Sequence, residues 1–376
     1  MSTAGIIFSN LNTTTSNYLT ADRTVAAIPF GCRYRLVDFA LSNMVNAEIA
    51  NINIVTNYNY RSLMKHIGSG KDWDLARHGA GIRIASPYQN ANYGGAKIYS
   101  THLEALCDIS EMIAGIHEQY IVLADSDIIC NIALSEVITQ HKESDADITM
   151  VTVKPKERWF SRYDRVVATS EPSGIVTNVA LRNEQTHESD ELGLNIYVME
   201  TNLLRSILAA AKAHNFTSFT RDVLMRRASD RRIYRYLYDG YYAFVADVRD
   251  YYAKSIELAT NAKAREGLLG VRARPVYTNV HNTPPARYGE SAAVSDSMIA
   301  DGCVIDGTVE NCILFRGVHI GRGSVVKNSV LLGGTYVGKN VTLDAVIADK
   351  EVLISDGMTL SGCPELPYFI PKGKHL

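Results

Sequence analysis

Short apolar runs alternate with amphipathic stretches through the first two thirds of the chain. Apolar runs bounded by turn-forming residues are typical of buried strands in a parallel sheet. They cover residues 5–8, 49–56, 120–123, 148–153 and 193–198. Apolar side chains spaced three and four apart predict helices between them, over residues 60–68, 95–116 and 133–143. This alternation predicts an α/β domain with a mostly parallel, doubly wound sheet.

After about residue 265 the apolar pattern changes to a period of six. Residues 271–290 hold three prolines among polar side chains, which predicts an extended connector. Beyond it, aliphatic side chains recur every six positions: Leu314, Ile320, Val326 and Leu332 share one register, Val337 and Leu343 resume it after a one-residue slip, and Ile299 and Ile305 set it earlier. This period is neither helical nor a simple alternation. It predicts a parallel β-helix in which each coil adds three short strands.

Length, composition and net charge restrict the classes of protein to which the chain can belong. The length of 376 residues favours two domains. A content of 46% hydrophobic and 21% charged residues is typical of a globular protein with a full core. The net charge of −2 argues against a general nucleic-acid or membrane partner. The six cysteines are scattered without a CxxC pair, and the chain opens with no signal-peptide pattern. We therefore expect free thiols and a cytoplasmic location.

The loop after the first apolar run gives conflicting signals. A strand that opens into a loop at its carboxyl end is where an α/β sheet usually binds phosphate. Such loops need glycine, because only a residue without Cβ lets backbone N–H groups close around a pyrophosphate. Residues 9–23 contain no glycine. The sequence therefore predicts the place of a phosphate site without the residues to form one.

Three segments together resemble bacterial ADP-glucose pyrophosphorylase: PFGCRYRLVDFALSN at residues 29–43, HIGSGKDWDL at residues 66–75, and the hexapeptide region. The resemblance covers essentially the whole chain. That family transfers AMP from ATP to glucose 1-phosphate and releases pyrophosphate, in the first committed step of glycogen synthesis. The resemblance implies a Rossmann-like nucleotidyltransferase domain over residues 1–262, a connector over 263–285 and a left-handed parallel β-helix over 286–376. The handedness comes from the family and not from the spacing.

Most of the family's catalytic residues are replaced in this chain. Asn10 to Thr15 stand where the family has the glycine loop G-G-x-G-x-R, and Val25 stands where it has the lysine of A-K-P-A. The sugar-phosphate motif E-K-P has no counterpart near Arg182, and the D-F pair for glucose becomes Ser218-Phe219. The resemblance therefore implies an intact scaffold without catalytic residues.

Two positions keep a match to the family's ligand-binding residues. Tyr93 corresponds to a tyrosine near the nucleotide base, which implies a residual substrate contact. Asp127 matches the first aspartate that holds Mg²⁺, so it is the candidate metal ligand, with a helix or turn cap as the alternative. The second metal position aligns with Phe244, or with Asp247 if the alignment is shifted.

Basic residues match the family's effector sites in part. Arg23 and Arg35 correspond to family basic positions near effector phosphates between the two domains, and Arg316 and His319 lie near another in the β-helix. The resemblance implies that these four residues bind a phosphate or sugar-phosphate effector. The alternative is that they form surface and interface ion pairs.

The pattern of losses resembles the degenerate, regulatory partner of the two-subunit form of the enzyme. It implies a non-catalytic or weakly active subunit that enhances a catalytic one, in a hetero-tetramer with that subunit or as a homo-oligomer alone. We expect no cofactor in this chain, and Mg²⁺ in the catalytic partner. A self-sufficient sugar-1-phosphate nucleotidyltransferase and a partner-free sugar-phosphate sensor remain the alternatives.

Overall fold

The structure is a computed structural model of the chain. It describes residues 2–9, 17–76, 81–86, 99–155, 165–182, 190–226 and 232–376. The glycine-free segment from Asn10 to Thr15 and the candidate Tyr93 lie outside the described residues, as does the beginning of the helix predicted over 95–116.

Each of the five predicted apolar runs of the first domain lies at a strand. In the described part of this domain the strands are β1 (Thr3–Phe8), β2 (Pro29–Phe30), β3 (Tyr34–Arg35), β4 (Asn51–Val55), β5 (Gly81–Ala85), β6 (Tyr120–Asp125), β7 (Ile128–Cys130), β8 (Ile148–Val153), β9 (Val166–Ser170), β10 (Val176–Leu181), β11 (Glu191–Glu200), β12 (Ile233–Leu237) and β13 (Tyr242–Phe244). The five runs correspond to β1, β4, β6, β8 and β11. Every residue of β6 and β8 is buried, which explains their continuous apolar sequence.

Nine of these strands form one central sheet, with the order β10-β9-β11-β6-β1-β4-β5 and with β8 joined to β11 and β12. β1, β4, β5 and β6 run parallel, whereas β11 is antiparallel to β6, β8 and β9. The sheet is therefore mixed but mostly parallel, as predicted: seven of its nine strands run in one direction, and β10 and β11 run against them. Buried strands read as apolar runs in either direction, so their sequences could not reveal the reversed β11.

Helices cover the sheet and lead toward the second domain. They are α1 (Asn17–Thr20), α2 (Leu36–Asn46), α3 (Arg61–Ile67), α4 (His102–Asp108), α5 (Ser110–Ala114), α6 (Leu134–Glu143), α7 (Thr201–His214), α8 (Val248–Thr260) and α9 (Ala262–Leu269). The single helix predicted over 95–116 is two helices that meet at Ile109. α9 lies mostly inside the predicted connector, so the stretch without helix or strand is residues 270–286.

The C-terminal domain is the predicted left-handed parallel β-helix. Its strands are β14 (Arg287–Tyr288), β15 (Ala293–Ser295), β16 (Met298–Ile299), β17 (Val304–Ile305), β18 (Thr308–Glu310), β19 (Ile313–Leu314), β20 (His319–Ile320), β21 (Val325–Lys327), β22 (Val330–Leu331), β23 (Tyr336–Val337), β24 (Thr342–Asp344), β25 (Val346–Ala348), β26 (Leu353–Ile354), β27 (Thr359–Ser361) and β28 (Tyr368–Ile370). They form three five-stranded sheets, each taking every third strand. The predicted periodic side chains are fully buried, except for the partly buried Ile299.

Side chains at one corner of the β-helix stabilise its turns. Asn311 and Asn328 have φ of 55° and 46°, in the left-handed region that asparagine tolerates well. The Asn311 side-chain amide donates to the Asn328 side-chain oxygen at 3.1 Å, and the Asn328 amide donates to Asp344 at 2.9 Å. A ladder of hydrogen bonds therefore follows the coils.

The two domains share one hydrophobic core. Helix α8 packs on β19 and β22, and the Tyr252 hydroxyl donates to the Asn328 carbonyl at 2.6 Å. The connector is tied to the first domain, since Tyr277 N donates to Ser42 at 2.8 Å and the Asn279 amide donates to the His66 carbonyl at 2.8 Å. In the described part of the chain no helix has the length and apolar character needed to cross a membrane.

Candidate functional site

A cleft opens at the carboxyl ends of β1 and β6. The two strands pair in register so that Phe8 lies beside Asp125, and both strands therefore end at the same edge of the sheet. The cavity there has a volume of about 320 Å³. Its lining includes polar side chains from α4, β11 and the segment after α7: Thr101, His102, Asn195, Thr217, Ser218 and Arg221. A volume of this order is the size of a small-molecule site.

Asp125 and His102 form the first charged pair of the cleft. His102 Nε2 lies 2.6 Å from Asp125 Oδ1, and the Asn195 amide donates to Asp125 Oδ2 at 2.8 Å. Burial lowers the pKa of His102, but the charge and hydrogen bond of Asp125 outweigh it and the pKa is raised. Asp125 lies two residues before the candidate Asp127, and sequence reasoning missed its partners, which lie 23 and 70 residues away.

Asp127, the candidate metal ligand, forms the second pair. Its Oδ2 accepts a hydrogen bond from Arg165 Nη2 at 2.9 Å, and both side chains are almost completely buried. The guanidinium carbon of Arg165 also lies 4.2 Å from the centre of the Phe244 ring. Phe244 belongs to β13, which pairs antiparallel with β7, and Val245 N donates to the Asp127 carbonyl at 3.0 Å. The two positions that align with metal ligands therefore lie close together, and both contact an arginine that sequence reasoning missed.

These residues do not fit a Mg²⁺ site. Mg²⁺ requires near-octahedral oxygen coordination, and Asp127 already pairs with a guanidinium. Asp247, the alternative second ligand, caps α8 by accepting from Asp250 N at 2.8 Å. Within the residues that the structure describes, no group of three or more His, Cys, Asp and Glu side chains could hold a metal ion.

Other positions aligned with catalytic residues have structural roles. Val25, which replaces the family's lysine, is 5% exposed and packs in the hydrophobic core with Leu19 and Ile28. Ser218, in place of the family's aspartate, accepts a hydrogen bond from Arg221 N at 3.2 Å and begins the π-helix Phe219–Met225. The lysine position thus lies in the apolar core and carries no charge.

Arg23 and Arg35, two of the predicted anion ligands, lie near the domain interface. Arg23 Nη2 donates to both oxygens of Asp349, at 2.8 and 2.7 Å, and joins the domains by a buried ion pair. Arg35 Nη1 donates to the Ser62 carbonyl at 2.7 Å, and burial lowers the pKa of Arg35 to about 10. Burial and the charges of Arg35 and Arg23 lower the pKa of Lys350 to about 8. The structure therefore brings Arg23 and Arg35 together around a lysine that sequence reasoning missed.

Arg316 and His319, the other two candidates, lie on the β-helix. Arg316 Nε donates to Asp301 at 3.1 Å, and its Nη2 donates to the Asn279 carbonyl of the connector at 3.3 Å. His319 stacks on the exposed Tyr336 ring, with the ring centres 4.6 Å apart. The four predicted residues thus have different surroundings, and effector binding stays a prediction.

Comparison with known proteins agrees with this architecture. The family model "Nucleotidyl transferase" matches residues 18–262, and "GlmU-like, C-terminal hexapeptide" matches residues 283–364. The chain is 34% identical to "Glycogen biosynthesis protein GlgD" of Bacillus subtilis strain 168, over 94% of this chain and 91% of that protein. It is 30% identical to "Glucose-1-phosphate adenylyltransferase" of Bacillus cereus strain Q1, over 90% of this chain and 89% of that enzyme. Because similarity of this extent spans both domains, the chain belongs to the nucleotidyl transferase family that contains GlgD and glucose-1-phosphate adenylyltransferase.

Proposed function

We propose that this chain is a non-catalytic or weakly active regulatory subunit in glycogen biosynthesis, which enhances a catalytic glucose-1-phosphate adenylyltransferase subunit. The observation that carries the proposal is a nucleotidyl transferase cleft in which Val25 and Phe244 occupy catalytic positions and Arg165 pairs with the remaining aspartate, Asp127.

The chemistry of AMP transfer explains why these replacements matter. Attack at a phosphate develops negative charge that must be stabilised by positioned cations and metal ions. Val25 supplies no charge, and Phe244 supplies no oxygen ligand. Removing one such stabilising group costs about 3 kcal/mol of transition-state stabilisation. Several losses together account for a large part of an enzyme's rate enhancement, so turnover by the isolated chain should be near background.

The scaffold gives reasons to infer a role through assembly. The nucleotidyl transferase domain and the β-helix share a core and a buried ion pair between Arg23 and Asp349. A change at one domain can therefore be transmitted to the other. The greater identity to GlgD, 34% against 30% for the enzyme, also supports a role other than catalysis. The partner that this role requires is a catalytic subunit of the same family, which would hold the Mg²⁺, in a hetero-tetramer; alone, the chain would form a homo-oligomer.

The domain interface supports a further part of the proposal, a phosphate or sugar-phosphate effector. Arg23 pairs with the Asp349 carboxylate, and the charges of Arg35 and Arg23 both act on Lys350. Burial lowers the pKa of Lys350 and the repulsion from these two arginines lowers it further, so a bound dianion would offset that repulsion. Arg316 belongs to the same region, because both it and Arg35 act on His281 and help to lower the pKa of that imidazole.

An activity assay tests the proposal. The chain alone, a catalytic subunit alone and their mixture are incubated with ATP, Mg²⁺ and glucose 1-phosphate, and ADP-glucose is measured. We expect background turnover from the chain alone and a rate for the mixture above that of the catalytic subunit. Turnover by the isolated chain within about tenfold of an ordinary family member would identify a self-sufficient enzyme instead. An unchanged rate in the mixture, with sugar phosphate bound by the chain alone, would favour the partner-free sensor.

A further inference from the structure

The acidic edge of the cleft is neutralised by side chains of the chain itself. Asp125 is the last residue of β6, and Asp127 lies two residues further along the chain. Both aspartates are at least 95% buried. His102 lies against Asp125 and Arg165 against Asp127, at 2.6 and 2.9 Å. Asp125 thus has an imidazole partner, and Asp127 has a guanidinium partner. Buried carboxylates elsewhere in proteins are compensated by coordinating metal ions.

We propose that the Arg165 guanidinium takes the place of a divalent cation as the counter-charge of Asp127, so that this cleft binds no divalent metal of its own. The proposal does not depend on any partner subunit. It concerns the isolated chain, and it can fail while the regulatory role holds, or hold while that role fails.

The electrostatics of the cleft support this replacement. His102 lies 2.6 Å from Asp125 and Arg165 lies 2.9 Å from Asp127, and only Ser126 separates the two aspartates in the chain. A divalent ion at Asp127 would bring two further positive charges next to the Arg165 guanidinium. Arg165 is only 6% exposed, so solvent screens its repulsion of a metal ion poorly.

The packing around Arg165 also supports the replacement of a divalent cation by its guanidinium. The Phe244 ring lies 4.2 Å from the guanidinium carbon, and an aromatic face attracts an organic cation through its quadrupole. The same ring offers no oxygen to a hard metal ion, which requires oxygen ligands. The Arg165 backbone is also fixed, because its carbonyl accepts a hydrogen bond from Arg182 N at 2.8 Å. Aspartate, arginine and phenylalanine thus form one stack that suits a guanidinium and not Mg²⁺.

The first test uses Mn²⁺ alone as the probe, on the purified full chain. Free Mn²⁺ is followed by its paramagnetic resonance signal, and thermal melts are recorded with Mg²⁺ and with EDTA. We expect no saturable Mn²⁺ site up to millimolar concentrations and a melting temperature that neither Mg²⁺ nor EDTA changes. One equivalent of Mn²⁺ bound below millimolar concentration, and lost in Asp127→Asn, would overturn the proposal.

The second test rebuilds a metal site. The double variant Arg165→Gln with Phe244→Asp removes the guanidinium and supplies a second carboxylate beside Asp127. We expect it to bind Mn²⁺ at least about tenfold more tightly than the unmodified chain and to melt at a higher temperature with Mn²⁺. The single variant Phe244→Asp keeps Arg165, so its affinity for Mn²⁺ should increase much less. Equal Mn²⁺ affinity of a folded double variant and folded Phe244→Asp would contradict the role of Arg165.

Two controls keep the result interpretable. Arg232→Gln removes an exposed arginine from its ion pair with Asp145, far from the carboxyl end of β6 in the chain, and should leave both melting temperature and Mn²⁺ binding unchanged. If the double variant does not fold, the Mn²⁺ titration of the unmodified chain decides the matter alone, since it requires no substitution.

Discussion

At the scale of single residues, the cleft differs from the active site of the family in the side chains at the aligned catalytic positions. Val25 places a core side chain where catalysis needs an ammonium group, and Phe244 places a ring where it needs a carboxylate. Both side chains are well packed, so these replacements stabilise the fold while removing charge. Arg165 then compensates the one aspartate that remains, Asp127. The replacement of charged family positions and the preservation of the fold therefore have the same structural cause.

The buried pair between Arg23 and Asp349 gives a prediction at this scale. Arg23→Gln leaves the Asp349 carboxylate buried without its cation, and such a loss costs about 3–5 kcal/mol. The measurement is the free energy of unfolding from denaturant titration at neutral pH. The matched control is Arg232→Gln, whose ion pair with Asp145 is exposed to solvent and should contribute little to stability. Equal stability of the two variants would show that the interdomain pair contributes nothing.

The His102–Asp125 pair predicts a pH dependence. The pKa of His102 is raised in the folded chain, so the pair contributes full stability below the unfolded value of about 6.5. That contribution is lost as the pH rises through the raised pKa. Melting temperatures of the unmodified chain and His102→Gln, compared from about pH 5 to about pH 9, should differ most at the acidic end. A difference that does not change with pH would contradict a charged pair.

Sequence reasoning located the positions of the cleft but not the contacts within it. Asp127 and Phe244 were found because both align with metal-ligand positions of the family that the sequence resembles. Arg165 lies 38 residues from Asp127 and on a different strand, so no local pattern connects them. Asn195 contacts Asp125 from a bulge in β11, where the register shifts and φ is 50°. Pairings of this kind depend on the order of strands in the sheet, which periodicity does not encode.

At the scale of elements, the β-helix was the most predictable part of the chain. Its buried positions recur with one spacing, because every coil repeats the same inward geometry. The α/β domain was predicted in type and in its predominant strand direction, but its reversed strands were not. β11 has the same apolar character as its parallel neighbours, yet it runs antiparallel to three of them. Predicting that reversal requires knowing which strands are adjacent.

The inward positions of the β-helix give an element-scale prediction. Ile320 and Leu332 are fully buried, so Ile320→Asp or Leu332→Asp places an unpaired charge in the core at a cost of several kcal/mol. Far-ultraviolet circular dichroism and limited proteolysis should show that the C-terminal coils unfold. Thr342→Asp, on an outward and exposed position of β24, is the control and should remain folded. Equal protease resistance of Leu332→Asp and Thr342→Asp would contradict the assigned inward face.

At the scale of the whole molecule, the two domains act as one unit through their common core. The Arg23–Asp349 ion pair and the hydrogen bond from the Tyr252 hydroxyl to the Asn328 carbonyl cross the interface, and the Tyr277–Ser42 hydrogen bond ties the connector to the first domain. Arg23, Arg35 and Lys350 also lie near this interface.

Phosphate binding at the interface is the corresponding prediction. Inorganic phosphate should raise the melting temperature, because a dianion relieves the repulsion among Arg23, Arg35 and Lys350. Chloride at matched ionic strength controls for general screening. Lys350→Met removes one cation and should abolish most of the phosphate shift, whereas Lys263→Met, on the exposed side of α9, should not. Equal shifts in the two variants would place any phosphate elsewhere.

Assembly with a catalytic subunit is the central claim, and light scattering of the co-purified pair tests it most directly. This chain and a catalytic glucose-1-phosphate adenylyltransferase subunit are co-expressed, purified through a tag on one of them, and measured by size-exclusion chromatography with light scattering. The account predicts a single species with the mass of a mixed tetramer, which contains both chains and makes ADP-glucose faster than the catalytic subunit alone. Two chains that elute separately at working concentrations would contradict it.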